Sequence, residues 1–318
     1  MIHYRCFRND DPPRVVGLWN TCLVGPRAVP LPRQGKTLLE YFTFSKPYFD
    51  PAGLILALDG GAAVGLVHAG FAANADGTSL DRSTGVICVL GVMASHRLRG
   101  VGSELLRRGE QYLRDRGATT VVAGPMAPAN PFTFGLYGGA DSAGFLDSHP
   151  AARPFFEKRG YRAARSCGVF RRPLEKVTLP NDPRFAGLRA RYEIVAAPYT
   201  HAGWWRECVL GPIEAVVYRL EDKRTRRTDA EAILWDMELY TPAWGVACVG
   251  LVDLVVAQEQ RQQGLAKYLL SQVLRHLRDQ PFHLFEARVD LDNDAAMALL
   301  RSLQFDQVEV GHGYRREA

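Results

Sequence analysis

A short glycine-containing stretch occurs twice in this chain, and it constrains the fold more than any other feature. The first copy, HRLRGVGSELL, covers residues 96–106, and the second, QRQQGLAKYLL, covers residues 260–270. In each copy a glycine follows an arginine by three positions and precedes a sequence with helical spacing. The two glycines, Gly100 and Gly264, are 164 positions apart, and the two arginines have the same offset. A period of this length indicates a duplicated domain and not a solenoid.

The elements around the repeated stretch recur in the same order. Each half has several strands before the stretch, then a helix, a strand, a second helix and a final strand, judged by apolar periodicity and turn residues. This order predicts an α/β fold with a mixed sheet. The predicted strands cover residues 2–7, 53–71 (a hairpin), 84–93, 118–124 and 161 onwards in the first half, and 191–196, 213–221, 230–239, 245–257, 283–289 and 305 onwards in the second.

The sequence between the halves is charged and contains prolines. Residues 171–190 have no clear apolar period. We therefore expect two domains, at residues 1–174 and 191–318, joined by a linker at 175–190.

The first half is longer than the second between the repeated stretch and the final strand. Tyr161 and Phe305, near the starts of the final strands, are only 144 positions apart, so the first half has about 20 additional residues. These coincide with a segment rich in glycine, proline and aromatic residues at 125–148. A loop this long without regular structure is uncommon in a compact domain and is often functional.

Composition limits the classes of partner and compartment. The 39 Lys and Arg against 34 Asp and Glu give a net charge of +5. This charge suits an anionic small ligand and is too weak to indicate nucleic acid. The N-terminal sequence MIHYRCFRND lacks the apolar region of a signal peptide, and no apolar run approaches the ~20 residues of a membrane span. We therefore expect a cytoplasmic protein with no nucleic-acid or membrane partner.

The cysteines argue against metal and disulfide chemistry. No two of the six lie at CxxC spacing, so the sequence predicts neither a zinc site nor a disulfide framework. Cys88 and Cys248 fall in apolar runs and are expected to be buried thiols.

The repeated stretch has the chemistry of an anion-binding turn. A glycine-rich turn between a strand and a helix exposes backbone N–H groups at the positive end of the helix dipole, which suits a diphosphate. Gly100 allows the backbone to approach a ligand closely, and the small residue two positions later leaves room for phosphate oxygens. Arg97, Arg99 and Arg261 add positive charge at the rim.

Two other glycine-rich motifs do not fit the chain. A Walker A loop requires GxxxxGK[ST]; GKT occurs at 35–37, but Pro30 stands at the position of the first glycine and no strand precedes it. A Rossmann fingerprint requires GxGxxG after the first strand of a βαβ unit, whereas the repeated stretch follows the fourth predicted strand.

The repeated stretch and its surroundings resemble a known family. RLRGVG and RQQGLA are similar to the [Q/R]xxGx[G/A] acetyl-CoA motif of GNAT-family N-acetyltransferases, and the similarity includes the preceding strand. NDAAMALLRSLQF (293–305) resembles the family's late helix, and HPAARPFFEKRGY (149–161) does so more loosely. The tandem arrangement and length are similar to those of mycothiol synthase, without a match that extends to a substrate. The resemblance implies two tandem GNAT-like acyl-CoA N-acyltransferase domains.

The resemblance also implies acetyl-CoA as the cofactor and a set of residues that bind it. In the family, the fourth strand separates from the fifth, and pantetheine pairs with the fourth strand in the gap. A backbone N–H there would polarise the thioester carbonyl, and the amine would attack directly after losing a proton to a base. The implied strand positions are Leu90, Gly91, Val92, Leu254, Val255 and Val256; the implied turn positions are Arg97, Leu98, Arg99, Gly100, Val101, Gly102 and Ser103, and Arg261, Gln262, Gln263, Gly264, Leu265, Ala266 and Lys267.

The proton donor departs from the family pattern. Members often protonate the departing thiolate with a tyrosine in the late helix, but Phe156 and Leu300 stand at the matching positions. A thiol pKa of about 8.5 makes this loss tolerable. Tyr137 is the candidate donor if the long loop folds over the acetyl group; otherwise the loop covers a sheet edge. His149 is either a base or a helix-start residue.

Asp253 is a candidate base in the second half. It matches a carboxylate that family members often carry on the fourth strand, where the first half has Val89. The alternative is a carboxylate satisfied by neighbouring donors.

The first half is expected to bind acetyl-CoA. It has both glycines of the motif, paired helices before the sheet, and the long loop. The second half has only HAGWWRECVL (201–210) where two helices should stand, so it is expected to be a second binder or a structural partner. Trp204 and Trp205 there either line a pocket or pack over the linker.

Several functions are compatible with this sequence. The leading one is acetyl-CoA-dependent N-acetyl transfer to the amine of a small molecule. The alternative is a non-catalytic CoA-binding, sensor or partner-binding protein built from degenerate GNAT domains, and a third is transfer of another acyl group. The two linked copies can pair with each other as two protomers would. The sequence leaves open whether the chain also forms a homo-oligomer.

Overall fold

Both halves of the chain contain strands and helices in a similar order. The computed structural model describes residues 1–23, 25–32, 36–175, 180–201 and 203–317. The strands of the first half are β1 (His3–Cys6), β2 (Leu54–Asp59), β3 (Ala62–Ala73), β4 (Leu80–Val92), β5 (Thr120–Ala123), β6 (Phe145–Leu146) and β7 (Arg162–Pro173). Its helices are α1 (Pro12–Cys22), α2 (Lys36–Leu39, continued by the π-helical segment Glu40–Phe44), α3 (Val101–Arg114) and α4 (Ala152–Glu157).

The second half repeats this order, with fewer residues between its first and second strands. Its strands are β8 (Tyr192–Pro198), β9 (Ala215–Asp222), β10 (Thr228–Asp236), β11 (Cys248–Val256), β12 (Leu284–Asp290) and β13 (Asp306–Glu317). Its helices are α5 (Arg184–Arg191), α6 (Trp204–Leu210), α7 (Thr241–Trp244), α8 (Leu265–Arg278) and α9 (Asp294–Ser302). The predicted strands are confirmed, and the predicted mixed α/β class is correct.

One sheet passes through both halves. Within the described ranges its strand order is β1-β2-β3-β4-β5-β13-β7-β12-β11-β10-β9-β8, with β6 attached to β13. β4 and β5 are parallel, as are β11 and β12, and the other neighbours are antiparallel. The sheet is therefore mixed, with one parallel pair in each half.

The final strands of the two halves are exchanged. β13, from the end of the second half, lies between β5 and β7 of the first half, and β7 lies between β13 and β12. Each half thus completes its part of the sheet with a strand from the other half. The domain limits at 1–174 and 191–318 remain a prediction, and the predicted linker at 175–190 contains most of α5.

α3 and α8 each bury one face against the strands. Their apolar residues recur every three or four positions, which is the spacing of one helix face. Burial of each such leucine contributes roughly 1.5–3 kcal/mol. The buried aliphatic residues are Val101, Leu105, Leu106 and Leu113 on α3, and Leu265, Leu269, Leu270, Val273, Leu274 and Leu277 on α8.

Besides the cores under α3 and α8, one buried cluster contains residues of both halves. It combines Trp19 and Leu136 of the first half with Trp235 and Tyr240 of the second. Every residue from 130 to 144 is buried, so the long loop predicted at 125–148 is packed between the halves. The loop is therefore part of the core between the two copies.

α6 also crosses from one half to the other. The ring of Trp205 lies 5.1 Å from that of Tyr48, and its backbone N–H donates to the Gly77 carbonyl at 3.3 Å. Trp204 and Trp205 were expected either to line a pocket or to pack over the linker; instead both rings pack on Tyr48 of the first half. The predicted burial of Cys88 and Cys248 is confirmed.

Helices in the described ranges are too short or too polar to traverse a lipid bilayer.

Candidate functional site

The two glycine turns have the same backbone conformation. In each, a 3₁₀ turn (Ala94–His96 or Gln258–Gln260) is followed by two residues with left-handed φ. Leu98 and Gly100 have φ of 60° and 82°, and Gln262 and Gly264 have φ of 62° and 85°. Left-handed φ is uncommon and strained for a non-glycine residue. The duplicated sequence therefore folds into a duplicated turn, with α3 and α8 starting where predicted.

The strand before each turn separates from its parallel neighbour. β4 pairs with β5 only over Thr84–Ile87 but continues to Val92. β11 pairs with β12 only over Cys248–Leu251 but continues to Val256. In the residues that the structure describes, Leu90–Val92 and Leu254–Val256 have a strand partner on one side only. In both copies, the end of this strand is thus unpaired on the side of its parallel neighbour.

A β-bulge marks the point of separation in both copies. His68 and Ala69 are opposite Val89 and Ile87, so Cys88 is the extra residue in β4. The corresponding extra residue in β11 is Val252, again 164 positions later. A bulge bends a strand and interrupts its pairing, which accounts for the opening at these two positions.

The arginine of each motif is tied to the strand before it. Arg97 Nε donates to the Val92 carbonyl at 3.0 Å, and Arg261 Nε donates to the Val256 carbonyl at 3.3 Å. Each arginine therefore fixes the turn on the end of its strand. The remaining guanidinium atoms point from exposed side chains and could add charge to a ligand in the turn.

The other turn residues of the first half differ in what they can contribute. Leu98, Arg99 and Gly100 are exposed, whereas the Val101 side chain is buried and offers only its backbone. A β-carbon at Gly102 would lie 3.3 Å from the Phe155 ring, so a small residue is needed there. The Ser103 hydroxyl accepts a hydrogen bond from Arg159.

In the second half, the turn is in contact with the segment before α5. Gln262 and Gln263 are exposed, the Leu265 side chain is buried, and Ala266 is half-buried. Lys267 Nζ lies 3.5 Å from a carboxylate oxygen of Asp182.

The two turns also differ in what covers the glycine. In the described part of the chain, nothing comes within 4 Å of a β-carbon placed on Gly100. A β-carbon on Gly264 would lie 3.0 Å from the guanidinium carbon of Arg184. The first turn is accessible and the second is covered by a side chain.

Tyr137 and His149, two predicted catalytic candidates, meet in the structure. The Tyr137 hydroxyl and His149 Nδ1 are 2.9 Å apart. Tyr137 is only 6% exposed, and burial raises the pKa of its hydroxyl above the ordinary value. The phenol therefore stays protonated at neutral pH, so it is available as an acid and not as a base.

The loop that holds Tyr137 begins where β4 and β5 separate. The N–H of Gly124 donates to the Ile87 carbonyl at 3.1 Å, which is the last link between these strands. The loop closes where Gly144 N–H donates to the Pro125 carbonyl at 2.9 Å. The alternative that this loop covers a sheet edge is wrong, because β5 lies between β4 and β13.

Asp253, the third catalytic candidate, lies apart from this pair. Its carboxylate accepts a hydrogen bond from Arg206 of α6 at 3.0 Å, and both side chains are about one-third exposed. The carboxylate thus has a neighbouring donor, which favours the structural alternative for this residue.

Glu286 is a buried residue of the second half that was not among the predicted site residues. It lies on β12 with no exposed surface, and its carboxylate accepts hydrogen bonds from Arg27, from Arg171 Nε at 2.6 Å and from the Ala140 N–H at 2.9 Å. Trp235 Nε1 also donates to the Ala140 carbonyl at 3.0 Å. The signal was an acidic residue inside an apolar strand, HLFEARV. Through the Ala140 N–H, Glu286 connects the long loop of the first half to the strands of the second half.

A sequence model of the acetyltransferase (GNAT) family matches residues 26–145 and 231–305. These two segments make up more than half of the chain and include both glycine turns. The chain belongs to the GNAT family.

Solved structures support the same architecture in both halves. A tandem GNAT protein from the clavulanic acid biosynthesis pathway is 18% identical with a TM-score of 0.67, and the match covers 100% of this chain and 98% of that one. A GCN5-related N-acetyltransferase from Sphaerobacter thermophilus is 16% identical with a TM-score of 0.62, over 99% and 95% of the two chains. At these identities the likeness shows the tandem GNAT fold. No curated protein matches the sequence significantly.

A third solved structure is larger than this protein. It is a GCN5-related glucosamine N-acetyltransferase region of a fungal multi-domain GH3 beta-N-acetylglucosaminidase, 16% identical with a TM-score of 0.72. The match covers 99% of this GNAT chain and 38% of the fungal one.

The late-helix positions of both GNAT copies are core residues. Phe156 is 1% exposed and stacks on Tyr314 at 5.4 Å, and Leu300 is 2% exposed. Neither can donate a proton, as the sequence indicated. GNAT proteins generally use acetyl-CoA, and the accessible turn and open strand edge of the first half fit this cofactor.

Proposed function

We propose that this GNAT protein is an acetyl-CoA-dependent N-acetyltransferase that acetylates the amine of a small molecule, with the site in its first half. The observation that carries the proposal is the accessible turn at Gly100, beside a strand edge that is open beyond Ile87. The family supports acyl-CoA N-acyl transfer in general. The acetyl group, the small acceptor and a cytoplasmic location are the finer parts of the proposal.

The turn and the strand edge have separate tasks in this proposal. The backbone N–H groups from Leu98 to Ser103 bind the diphosphate at the positive end of α3. The edge at Leu90–Val92 binds the pantetheine arm and directs an N–H at the thioester carbonyl. Bound acetyl-CoA supplies the activated acetyl group. The equivalent edge at Leu254–Val256 and turn at 261–267 have the same shape, with Arg184 over Gly264.

Tyr137 and His149 are the proposed proton-handling pair. The imidazole can take the proton of the attacking amine, the buried phenol can protonate the departing sulfur, and the imidazole can return a proton to the phenol oxygen through the 2.9 Å contact. Two features support this role: the loop begins at the opening of β4 and β5, and it is held rigidly by the second half. Asp253 remains a weaker candidate base because Arg206 already pairs with it.

Isothermal titration with acetyl-CoA tests the cofactor site. We expect Gly100→Glu to abolish binding, because the new carboxylate occupies the turn and repels phosphate, and Gly264→Glu to leave binding unchanged. Gly160→Glu is a matched control, since Gly160 has φ of 80° and open space around it, like Gly100. Loss of binding in Gly264→Glu with Gly100→Glu unaffected would reverse the assignment of the halves.

Release of free thiol tests the activity. The protein is incubated with acetyl-CoA and a mixture of small amines, and new thiol is measured against a reaction without amine. Thiol release that depends on an amine supports acetyl transfer. Tight binding without amine-dependent release would instead identify a CoA-binding protein without acetyltransferase activity.

A further inference from the structure

The start of α5 covers the second turn at Gly264, whereas no described residue covers Gly100 in the first turn. Asp182, Pro183 and Arg184, here called the 182–184 clasp, lie at the start of α5, which packs on α8. The rings of Phe185 and Tyr268 are 5.2 Å apart and fix α5 on α8. The position of the clasp is therefore set by apolar packing next to the turn.

The clasp brings a carboxylate to the cations of the second turn. Asp182 accepts hydrogen bonds from Arg184 Nη2 at 2.7 Å and Nε at 2.9 Å, and lies 3.5 Å from Lys267 Nζ. Its side chain is only 7% exposed. The hydrogen bonds from Arg184 hold the pKa of Asp182 below its ordinary value. Asp182 is therefore an anion at neutral pH, paired with a lysine of the turn.

The side chain of Arg184 covers the same turn. Its guanidinium lies against Gly264, within about 3 Å of the position of a β-carbon. A ligand phosphate that approaches the Gly264 backbone needs the space of this guanidinium, which the hydrogen bonds to Asp182 hold in place. It must also compete with Asp182 for Lys267, because both are anions that bind an ammonium group.

The first turn provides the internal comparison. It has the same backbone angles, yet Gly100 is uncovered and the residue at the Lys267 position is Ser103, which contacts Arg159. The two turns therefore share a backbone conformation, and the clasp covers only the second.

We infer that the 182–184 clasp is an autoinhibitory contact that closes the second acetyl-CoA turn of this chain, so that only the first half binds the cofactor. The inference depends on the proposed function for the identity of the ligand. Removal of the clasp exposes Gly264 and releases Lys267, so the second turn then binds acetyl-CoA as the first does.

Isothermal titration of the full chain with acetyl-CoA measures the number of sites. We expect one equivalent for the wild type and two for the double variant Asp182→Ala/Arg184→Ala, which has the same net charge. The control is Arg278→Ala/Asp279→Ala, which removes an exposed ion pair at the other end of α8 and should retain one equivalent.

Two further variants locate the new site. Adding Gly100→Glu to the clasp variant should leave one equivalent, and adding Gly264→Glu instead should remove the gained one. If Asp182→Ala/Arg184→Ala loses its native circular dichroism spectrum, the single variant Asp182→Asn is used instead. This variant keeps the side-chain shape and removes the negative charge. We expect Asp182→Asn to give a second, weaker site.

The results separate this inference from the proposed function. A wild type that binds two equivalents, or folded clasp variants that bind one, overturn the clasp as the closing element. A wild type and clasp variants that bind no acetyl-CoA overturn the proposed function, whatever the clasp does.

Discussion

Replacing Glu286 with glutamine should destabilise the whole fold, because Arg27 and Arg171 share its carboxylate between the two halves. Glu286 has no exposed surface and Arg27 is 4% exposed. The variant leaves buried guanidinium charge without its partner. It also places an amide N–H₂ near these donors, while the carboxamide oxygen can still accept from Ala140.

The structure sets the size of this effect. Removing one partner of a buried ion pair costs about 3–5 kcal/mol. Arg171 is 20% exposed, so water can partly solvate it, and we expect about 3 kcal/mol. At roughly 2–3 °C per kcal/mol for a chain of this size, the melting temperature should fall by about 6–9 °C.

Urea unfolding followed by circular dichroism measures the loss of free energy. Glu157→Gln is the control, because its partner Arg153 and Glu157 itself are both exposed, and its midpoint should not change. A triple variant with Glu286→Leu, Arg27→Met and Arg171→Met should recover most of the loss, since apolar groups can replace a buried ion pair. A loss below about 1 kcal/mol in Glu286→Gln, or no recovery in the triple variant, would refute the reasoning.

Two other predictions concern single side chains. Tyr137→Phe should lower kcat about 100-fold, the scale of general acid catalysis, with the Kd for acetyl-CoA unchanged in titration; a parallel loss of binding would assign Tyr137 to structure. Burial lowers the pKa of His68 from its ordinary 6.5 to about 3, so its neutral form contributes stability that is present above pH 6.5 and lost as the pH falls toward 3. We therefore expect the free energy of unfolding, measured by urea titration, to fall less between pH 6.5 and 4 in His68→Leu than in the wild type. The same pH dependence in both proteins would contradict this.

Local sequence predicted the elements and the turns well, because their determinants lie within a few residues. Gly100 and Gly264 allow a left-handed turn, and the apolar spacing of 101–113 and 265–277 gives two helix faces. The opening of the strands came from the family resemblance and is present in both copies.

Long-range contacts could not be predicted from these patterns. The alternation of apolar and polar residues in β7 and β13 is the same whichever half supplies the neighbouring strand. The exchange of strands therefore leaves no signal in the local sequence. Glu286 and Ala140 are 146 positions apart, and Tyr137 and His149 were each candidates without a reason to meet. The contact of Asp182 with Lys267 depends on how α5 packs on α8, which no spacing encodes.

The exchanged final strands affect the order in which this protein can fold during synthesis. A ribosome releases the first half long before residues 306–317, yet β5 and β7 have their shared neighbour only in that last segment. Until β13 emerges, the nascent first half presents unpaired strands that can join other chains. Completion of the sheet in the first half therefore waits for the synthesis of residues 306–317, and the time spent in translation becomes a period of exposure to chaperones.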